Sequence, residues 1–170
     1  RVRSSAASDV YKRQIQAQPT DARAIYDRAS ALSIIHDFPH ALLDCRAAIQ
    51  LNPNYAEAYS VMGNIHWMQG QRDEALTDYD EALHLNPKNP DLWYNRALFY
   101  MHNDDAKAIV DLTQALALAP GYQDALYIRG NAWLDQQKYP AAIQDYSDAL
   151  RINKPTGNVY HPVSYTHLTL

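Results

Sequence analysis

The residues able to do chemistry are few, and their spacing suits little of it. His36 and His40 stand four apart, a separation at which two imidazoles on one helix face can hold a metal ion, but Pro39 lies between them at a helix start and no third ligand accompanies them. A solvated turn is expected there, and no metal site. Cys45 lies among apolar neighbours, where a thiol behaves as a small hydrophobe rather than a nucleophile. His66 falls at a core aromatic place and reads as a packed histidine. Asp104-Asp105 puts negative charge where a helix should begin, which suits the helix dipole. The chain has no glycine-rich phosphate loop, no HExxH and no CxxC. These patterns yield no catalytic residue and no cofactor, so the chain reads as non-enzymatic.

What must be positioned is therefore a surface rather than a reaction centre. Of 170 residues, 47% are hydrophobic and 20% charged, a balance that fits a soluble globular chain without membrane spans. One cysteine excludes a disulfide framework and every cysteine-based zinc cluster, and a net charge of -4 supplies no basic stripe for a nucleic-acid backbone. Five glycines and nine prolines are few for strands joined by tight turns. Helices are expected instead.

Both ends of the chain read as foreign to what lies between them. Residues 4–14, SSAASDVYKRQ, resemble the frame translation of a transposase-type sequencing adapter, and residues 163–170, VSYTHLTL, resemble the translation of its reverse complement. On that reading the bases CT must close the codon of residue 162. Only Ser, Pro, Thr or Ala codons can end so, and the residue is Pro162. We therefore take residues 1–14 and 163–170 as artefact and 15–162 as an internal stretch of a longer coding sequence. Without residues 1–14 the chain loses Arg1, Arg3, Lys12 and Arg13 against Asp9, leaving 11 basic and 18 acidic residues and a net charge of -7. The true N-terminus lies upstream on this reading, so localisation is open. The cytoplasm is the expectation, although a lone cysteine of buried type suits the periplasm equally.

A period then organises the remainder. Leu51-Asn52-Pro53 recurs as Leu85-Asn86-Pro87 after 34 residues and as Leu118-Ala119-Pro120 after 33, and alanine pairs keep the rhythm from Ala41 and Ala48 to Ala142 and Ala149. Four units result, at 22–55, 56–89, 90–122 and 123–156, with 15–21 the tail of a preceding unit and 157–162 the start of a following one. The third unit is one residue short, and the alignment places the loss in the turn near Asn103 to Asp105, because a loss inside a helix would rotate every later side chain by about 100°. Within each unit apolar residues recur twice at helical spacing with a break between, which predicts two antiparallel helices, A and B. In the second unit these are helix A over about 56–68 and helix B over about 73–85, joined at Gln69-Gly70-Gln71 with Gly70 available for a left-handed helix end. Pro39 and Pro140 fall at the start of helix B, and Pro53, Pro87 and Pro120 just past its end. Ala29, Gly63, Ala97 and Gly130 on helix A allow close backbone approach, while Ile25, Tyr59, Trp93 and Leu126 fill the space between units.

These units resemble tetratricopeptide repeats. The second, AEAYSVMGNIHWMQGQRDEALTDYDEALHLNPKN, carries the early aromatic, the Gly four residues later, then Ala75, Tyr79, Ala82 and Pro87 in the family's places. The other units depart in detail: Cys45 and Leu112 replace the helix-B aromatic, and Lys154 takes the Pro position with Pro155 one place late. The resemblance implies an all-α, right-handed α-solenoid of antiparallel helix pairs. Arrays of this kind need capping units, and this chain has none, so exposed apolar surface is expected at both ends.

The resemblance also implies that the helix-A position held by Arg28, Arg96 and Arg129, and by Met62 in the second unit, is semi-buried. Asp44, Asp78, Asp111 and Asp145 recur at one helix-B position, and structural Arg–Asp pairing between the helices is the expectation, since a buried guanidinium alone would be costly. In the family the concave face, lined by helix A, takes an extended or helical peptide. Carried across, that groove comprises Arg23, Tyr26, Asp27, Ser30 and Ile34; Glu57, Ser60, Asn64, Trp67 and Met68; Asp91, Tyr94, Asn95, Leu98 and His102; and Asp124, Tyr127, Ile128, Asn131 and Asp135. Tyr26, Tyr94 and Tyr127 would form a ladder of amphipathic rings, and Asn64, Asn95 and Asn131 could hold peptide amides.

Chaperone-binding members grip a terminal carboxylate with cations and two asparagines. Here Asn64 and Asn95 match the asparagines, but Ser60, Asp124 and Ile128 stand where the cations belong, so a chaperone C-terminal carboxylate is not the expected ligand. The asparagine ladder of the glycosyltransferase-linked repeats is incomplete too, with Asn95 matching and Asp27, Val61 and Ile128 in the other places. Asp27, Glu57, Asp91, Asp124 and Asp135 outnumber Arg23, which favours a neutral or basic protein or peptide segment. The resemblance thus implies a non-catalytic protein-protein interaction scaffold. The alternative is the substrate-recruiting region of a larger enzyme, since a recruiting array looks the same in either setting. Self-assembly through uncapped ends is a third reading, confined to the truncated chain.

Overall fold

The computed structural model describes residues 21–101 and 103–152. The expectations placed on residues 1–20, His102 and 153–170 lie outside the described residues. They include both adapter-like segments and the remnants of flanking units. Within the described residues the chain is all-α, with eight helices: α1 (Ala22–Ile34), α2 (Phe38–Leu51), α3 (Ala56–Met68), α4 (Arg72–Leu85), α5 (Pro90–Tyr100), α6 (Asp105–Leu118), α7 (Gln123–Asp135) and α8 (Tyr139–Arg151). The odd-numbered helices are the A helices of the four units and the even-numbered ones the B helices.

Local chemistry sets several boundaries. Asp21 caps α1 by accepting from the Arg23 and Ala24 amides at 3.0 and 3.2 Å, and Asn89 caps α5 through the Asp91 amide at 3.0 Å. Asp104 caps α6 by accepting from the Lys107 amide at 3.1 Å. That backbone hydrogen bond, with the Lys107 ammonium beside it, holds the Asp104 carboxyl below its ordinary range. Pro39, Pro90 and Pro140 sit in the first two positions of their helices, where a missing N–H has no helical partner to lose.

The turn inside each unit is where the third unit departs. In units 1, 2 and 4 the chain leaves helix A through one residue in the left-handed region, His36 (φ 61°), Gly70 (φ 78°) and Gln137 (φ 59°), all at the same register. In unit 3 that register is missing. Helix α5 ends at Tyr100 with 11 residues where the other A helices have 13, and Met101 turns the chain out with φ -51° and ψ 137°.

Small residues bring the helices together. The alanine pairs of all four B helices are buried, from Ala41 and Ala48 to Ala142 and Ala149, as are Ala29, Gly63, Ala97 and Gly130 on the A helices. Apolar clusters bridge successive units: Ile25, Ala29, Cys45, Ala48 and Ala58 join the first two, and Leu112, Leu116, Ala125 and Leu126 join the last two. Helix α1 touches α3 and α3 touches α5, so these A helices form a continuous layer. No described helix is long and apolar enough to cross a membrane.

Candidate functional site

Three arginines of the A helices reach aspartates of their own B helices with both carboxylate oxygens engaged. Arg28 donates Nε and Nη2 to Asp44 at 2.6 and 2.7 Å, Arg96 to Asp111 at 2.8 Å twice, and Arg129 to Asp145 at 2.8 and 2.7 Å. Asp44, Asp111 and Asp145 are buried, so the bidentate geometry satisfies carboxylates that water cannot reach. Two of these arginines also reach back to the preceding B helix. Arg96 donates Nη1 to Asp80 at 2.6 Å and Arg129 donates Nη1 to Thr113 at 3.2 Å. Burial works against the Arg96 charge, and the hydrogen bonds it donates to Asp111 and Asp80 outweigh it, raising its pKa.

The second unit is wired differently. With Met62 at the arginine position, Asp78 takes the Nδ1 of His66 at 2.6 Å, one helical turn further along α3. The pair is half-buried, and desolvation raises the Asp78 pKa above its ordinary 3.8 against the pull of His66. Sequence placed His66 in the core but did not connect it to Asp78; its place one turn beyond Met62 was the available signal. Elsewhere, His36 occupies a left-handed turn position, and His40 bonds Asp37 at 2.8 Å in the first turn of α2. Cys45 is fully buried, and burial pushes its thiol up to about 12.

On the A helices the groove residues divide into engaged and open ones. Tyr26 is half-buried and meets Tyr55 edge-on with ring centroids 5.0 Å apart. Tyr94 lies at 31° to Tyr122, also at 5.0 Å, and burial with Asp124 and Asp91 nearby pushes its hydroxyl up to about 12. Tyr127 is 55% exposed. The ladder therefore comprises two rings covered by the tyrosines that close their own units and one open ring. Tyr55 and Tyr122, which cover the other two, precede α3 and α7 and carried no apolar-period signal of their own.

The asparagines are also engaged within the fold. Asn64 Oδ1 accepts from the Tyr79 hydroxyl at 2.6 Å, Asn131 Oδ1 from the Tyr146 hydroxyl at 2.7 Å, and Asn95 Nδ2 donates to Ser60 Oγ at 3.0 Å. Each Tyr–Asn bond leaves the amide nitrogen of the asparagine as its remaining donor group. Ser60 is buried, Ser30 half-buried, and Glu57 accepts from Asn89 at 3.1 Å. Trp67 stands edge-on to Phe99 at 6.1 Å, Leu98 is half-buried, and Ile128 packs into two core clusters. Asp27, Asp91 and Asp135 are exposed, Asp124 half-buried, and Ile34 and Met68 exposed. Arg23 is exposed with its Nε 4.0 Å from Asp27.

Family models described as "TPR repeat" and "Tetratricopeptide repeat" match residues 69–104 and 106–158. The chain is 25% identical over 170 residues to a "DnaJ homolog subfamily C member 7 homolog" from Dictyostelium discoideum, covering 90% of this chain and 32% of that protein's length. Among solved structures, MamA superimposes with a TM-score of 0.68 at 23% identity over 82% of each chain, a likeness of fold. The first TPR of Spaghetti (RPAP3), solved bound to the HSP90 peptide SRMEEVD, is 35% identical with a TM-score of 0.54, covering 57% of this chain and 78% of that one. A helix-pair array with this period, this packing and that degree of identity belongs to the tetratricopeptide-repeat family and is a protein-interaction scaffold.

Proposed function

We propose that the A-helix face binds a peptide segment of a protein partner, without catalysis, and favours neutral or basic segments. The observation that carries this is charge: Asp27, Asp91 and Asp135 are exposed along α1, α5 and α7, Glu57 and Asp124 are half-exposed between them, and Arg23 lies beside Asp27. Tyr127 adds an open aromatic surface, and Asn64 and Asn131, whose oxygens accept from Tyr79 and Tyr146, keep their amide nitrogens as donors suited to a peptide carbonyl.

The Spaghetti (RPAP3) domain holds an acidic HSP90 peptide. In this chain the places for carboxylate-gripping cations carry Ser60, buried against Asn95, with Asp124 and the half-buried Ile128. Moved one unit earlier, the same five places carry Tyr26, Ser30, Val61, Asp91 and Asn95, again without a cation. An acidic tail meets like charge on this face. The chain spans about a third of the length of its Dictyostelium relative, and that observation keeps a second reading in view, a recruiting arm of a larger enzyme.

Fluorescence anisotropy with a lysine-rich peptide and with SRMEEVD tests the charge preference. The basic peptide should bind more tightly, lose affinity as salt rises, and weaken on Asp91→Asn or Asp27→Asn. Tighter binding of SRMEEVD would overturn it. Basic-peptide binding unaffected by these variants and by Tyr127→Ala would remove the groove from the account.

A further inference from the structure

Asn64 and Asn95 are wired in opposite senses. Asn64 Oδ1 accepts from the Tyr79 hydroxyl at 2.6 Å, which leaves its Nδ2 group uncommitted. Asn95 gives Nδ2 to Ser60 Oγ at 3.0 Å, which leaves its Oδ1 and one N–H. Among the described residues no further hydrogen bond reaches either side chain, and water reaches both Asn64 Nδ2 and Asn95 Oδ1. The internal partners fix these senses. Tyr79 is 1% exposed, so its hydroxyl finds its acceptor inside the fold, and an Asn64 amide turned over would strand the phenol proton. The two amides are also neighbours. Ser60 and Asn64 are four apart on α3, one turn along the same face, with Cβ atoms about 6 Å from each other. Because Asn95 reaches from α5 to Ser60, its amide lies one turn of α3 from that of Asn64. Both belong to interior units, with α1 and α2 on one side and α7 and α8 on the other, so the neighbours that stacking supplies are already in place.

We propose that these two amides hold the main chain of one internal residue of a peptide ligand, Asn95 Oδ1 accepting its N–H and Asn64 Nδ2 donating to its C=O, with Tyr79 and Ser60 as positioning residues. A residue in an extended segment turns its own N–H and C=O to the same side, which is how paired strands exchange two hydrogen bonds at one residue. One acceptor beside one donor fits that arrangement. A terminal carboxylate offers acceptors alone and leaves Asn95 Oδ1 unmatched, and proline, which has no N–H, is excluded at this place. The inference rests on the peptide-binding reading and adds what the face grips: an extended stretch of main chain within the ligand rather than a chain end.

The test is fluorescence anisotropy of the full chain with a lysine-rich peptide made three ways: with a free C-terminus, amidated, and amidated with its internal main-chain N–H groups methylated. The amidated peptide should bind at least as tightly as the free acid, and methylation should weaken it about fivefold or more. Asn95→Ala should weaken the unmethylated peptide by a similar factor and leave the methylated one unchanged, a comparison in which any effect of methylation on peptide shape cancels. Tyr79→Phe should lower affinity several-fold in the native sequence and have no further effect once Asn64 is replaced by alanine; Ser60→Ala should lose its effect in the same way in Asn95→Ala. A general loosening of the fold would weaken binding in both backgrounds. Tighter binding of the free acid, a methylation loss that persists at full size in Asn95→Ala, or a Tyr79→Phe loss that persists in Asn64→Ala would each overturn the proposal and leave the groove reading standing. No binding of the lysine-rich peptide, or binding indifferent to Asp91→Asn and Tyr127→Ala, would remove the groove and this proposal together.

Discussion

Units 2 and 4 solve one packing problem in a way that units 1 and 3 do not. In units 2 and 4 the B helix offers a tyrosine, Tyr79 or Tyr146, to a glycine of the A helix, and the next residue is an asparagine that accepts the phenol, Asn64 or Asn131. In units 1 and 3 the B-helix residue is Cys45 or Leu112, the A-helix residue is Ala29 or Ala97, and Ser30 or Leu98 follows. Three positions thus change together. A ring against the A helix leaves no room for a methyl group, since a Cβ on Gly63 would lie 2.9 Å from Tyr79 Cε1 and one on Gly130 would lie 2.6 Å from Tyr146 Cε1. A phenol withdrawn from water also needs an acceptor. Without the ring both demands vanish, and alanine with a non-amide neighbour suffices.

A second contrast cuts across the first, because unit 2 alone replaces arginine by histidine as the partner of its aspartate. The largest expected effect lies there. Asp44→Ala leaves the Arg28 guanidinium, 18% exposed, without its bidentate partner and should destabilise the chain by about 3 kcal/mol in urea unfolding. Asp78→Ala should cost less, about 1–2 kcal/mol, because His66 can remain neutral whereas arginine cannot. Equal losses at the two sites would erase the distinction.

Next in size is Gly63→Ala. Tyr79 is fully buried and the Ala75 carbonyl oxygen lies 3.2 Å from the added methyl group, so neither neighbour can withdraw freely. A loss of about 1–3 kcal/mol is expected. Combining it with Tyr79→Leu, the unit 3 solution, should recover much of that loss relative to the sum of the single changes. Additive losses would show that the three positions are not coupled. Tyr79→Phe alone, which keeps the ring and leaves Asn64 Oδ1 without its donor, should cost about 1 kcal/mol.

Smaller effects come from the turns and from pH. His36→Gly should stabilise by about 0.5 kcal/mol, read as a rise in thermal midpoint, because a left-handed φ of 61° strains any residue with a Cβ. Gly70→Ala should move the midpoint the other way. A fall on His36→Gly would place the strain elsewhere. The raised Asp78 pKa means that the native state holds a proton at pH values where the unfolded chain, near 3.8, has released it. Stability contributed by that proton is full below 3.8 and is lost as pH rises through the native value. Asp78→Asn lacks this dependence, so its stability relative to the native sequence should improve as pH climbs through that window; no change in the difference would contradict the shift.

Much of the fold was legible because a repeat is a statement about local geometry. Apolar residues at helical spacing, prolines beside helix ends and small residues at fixed intervals act within one helix or one turn, and the helices of the second unit run as the spacing predicts to within a residue. The alternation of Gly-Asn-Tyr with its smaller counterparts was also present in the letters, and needed only the two helices of a unit to be set side by side. Left-handed turn residues were harder: Gly70 announced itself, whereas His36 and Gln137 adopt the same conformation because α2 and α8 must start where their packing places them.

By itself, then, the sequence determined a period, its helix pairs, and which side chains share a helix face, because those properties depend on residues within a turn or two of one another. Only the tertiary structure decided which of those side chains are used up. Tyr26 and Tyr94 meet the tyrosines that close their own units, Asn95 reaches Ser60 across 35 positions, and Asp78 finds His66 rather than an arginine. The face that remains for a ligand is what stacking leaves over, and stacking depends on the fit between side chains of different units, which no single helix encodes.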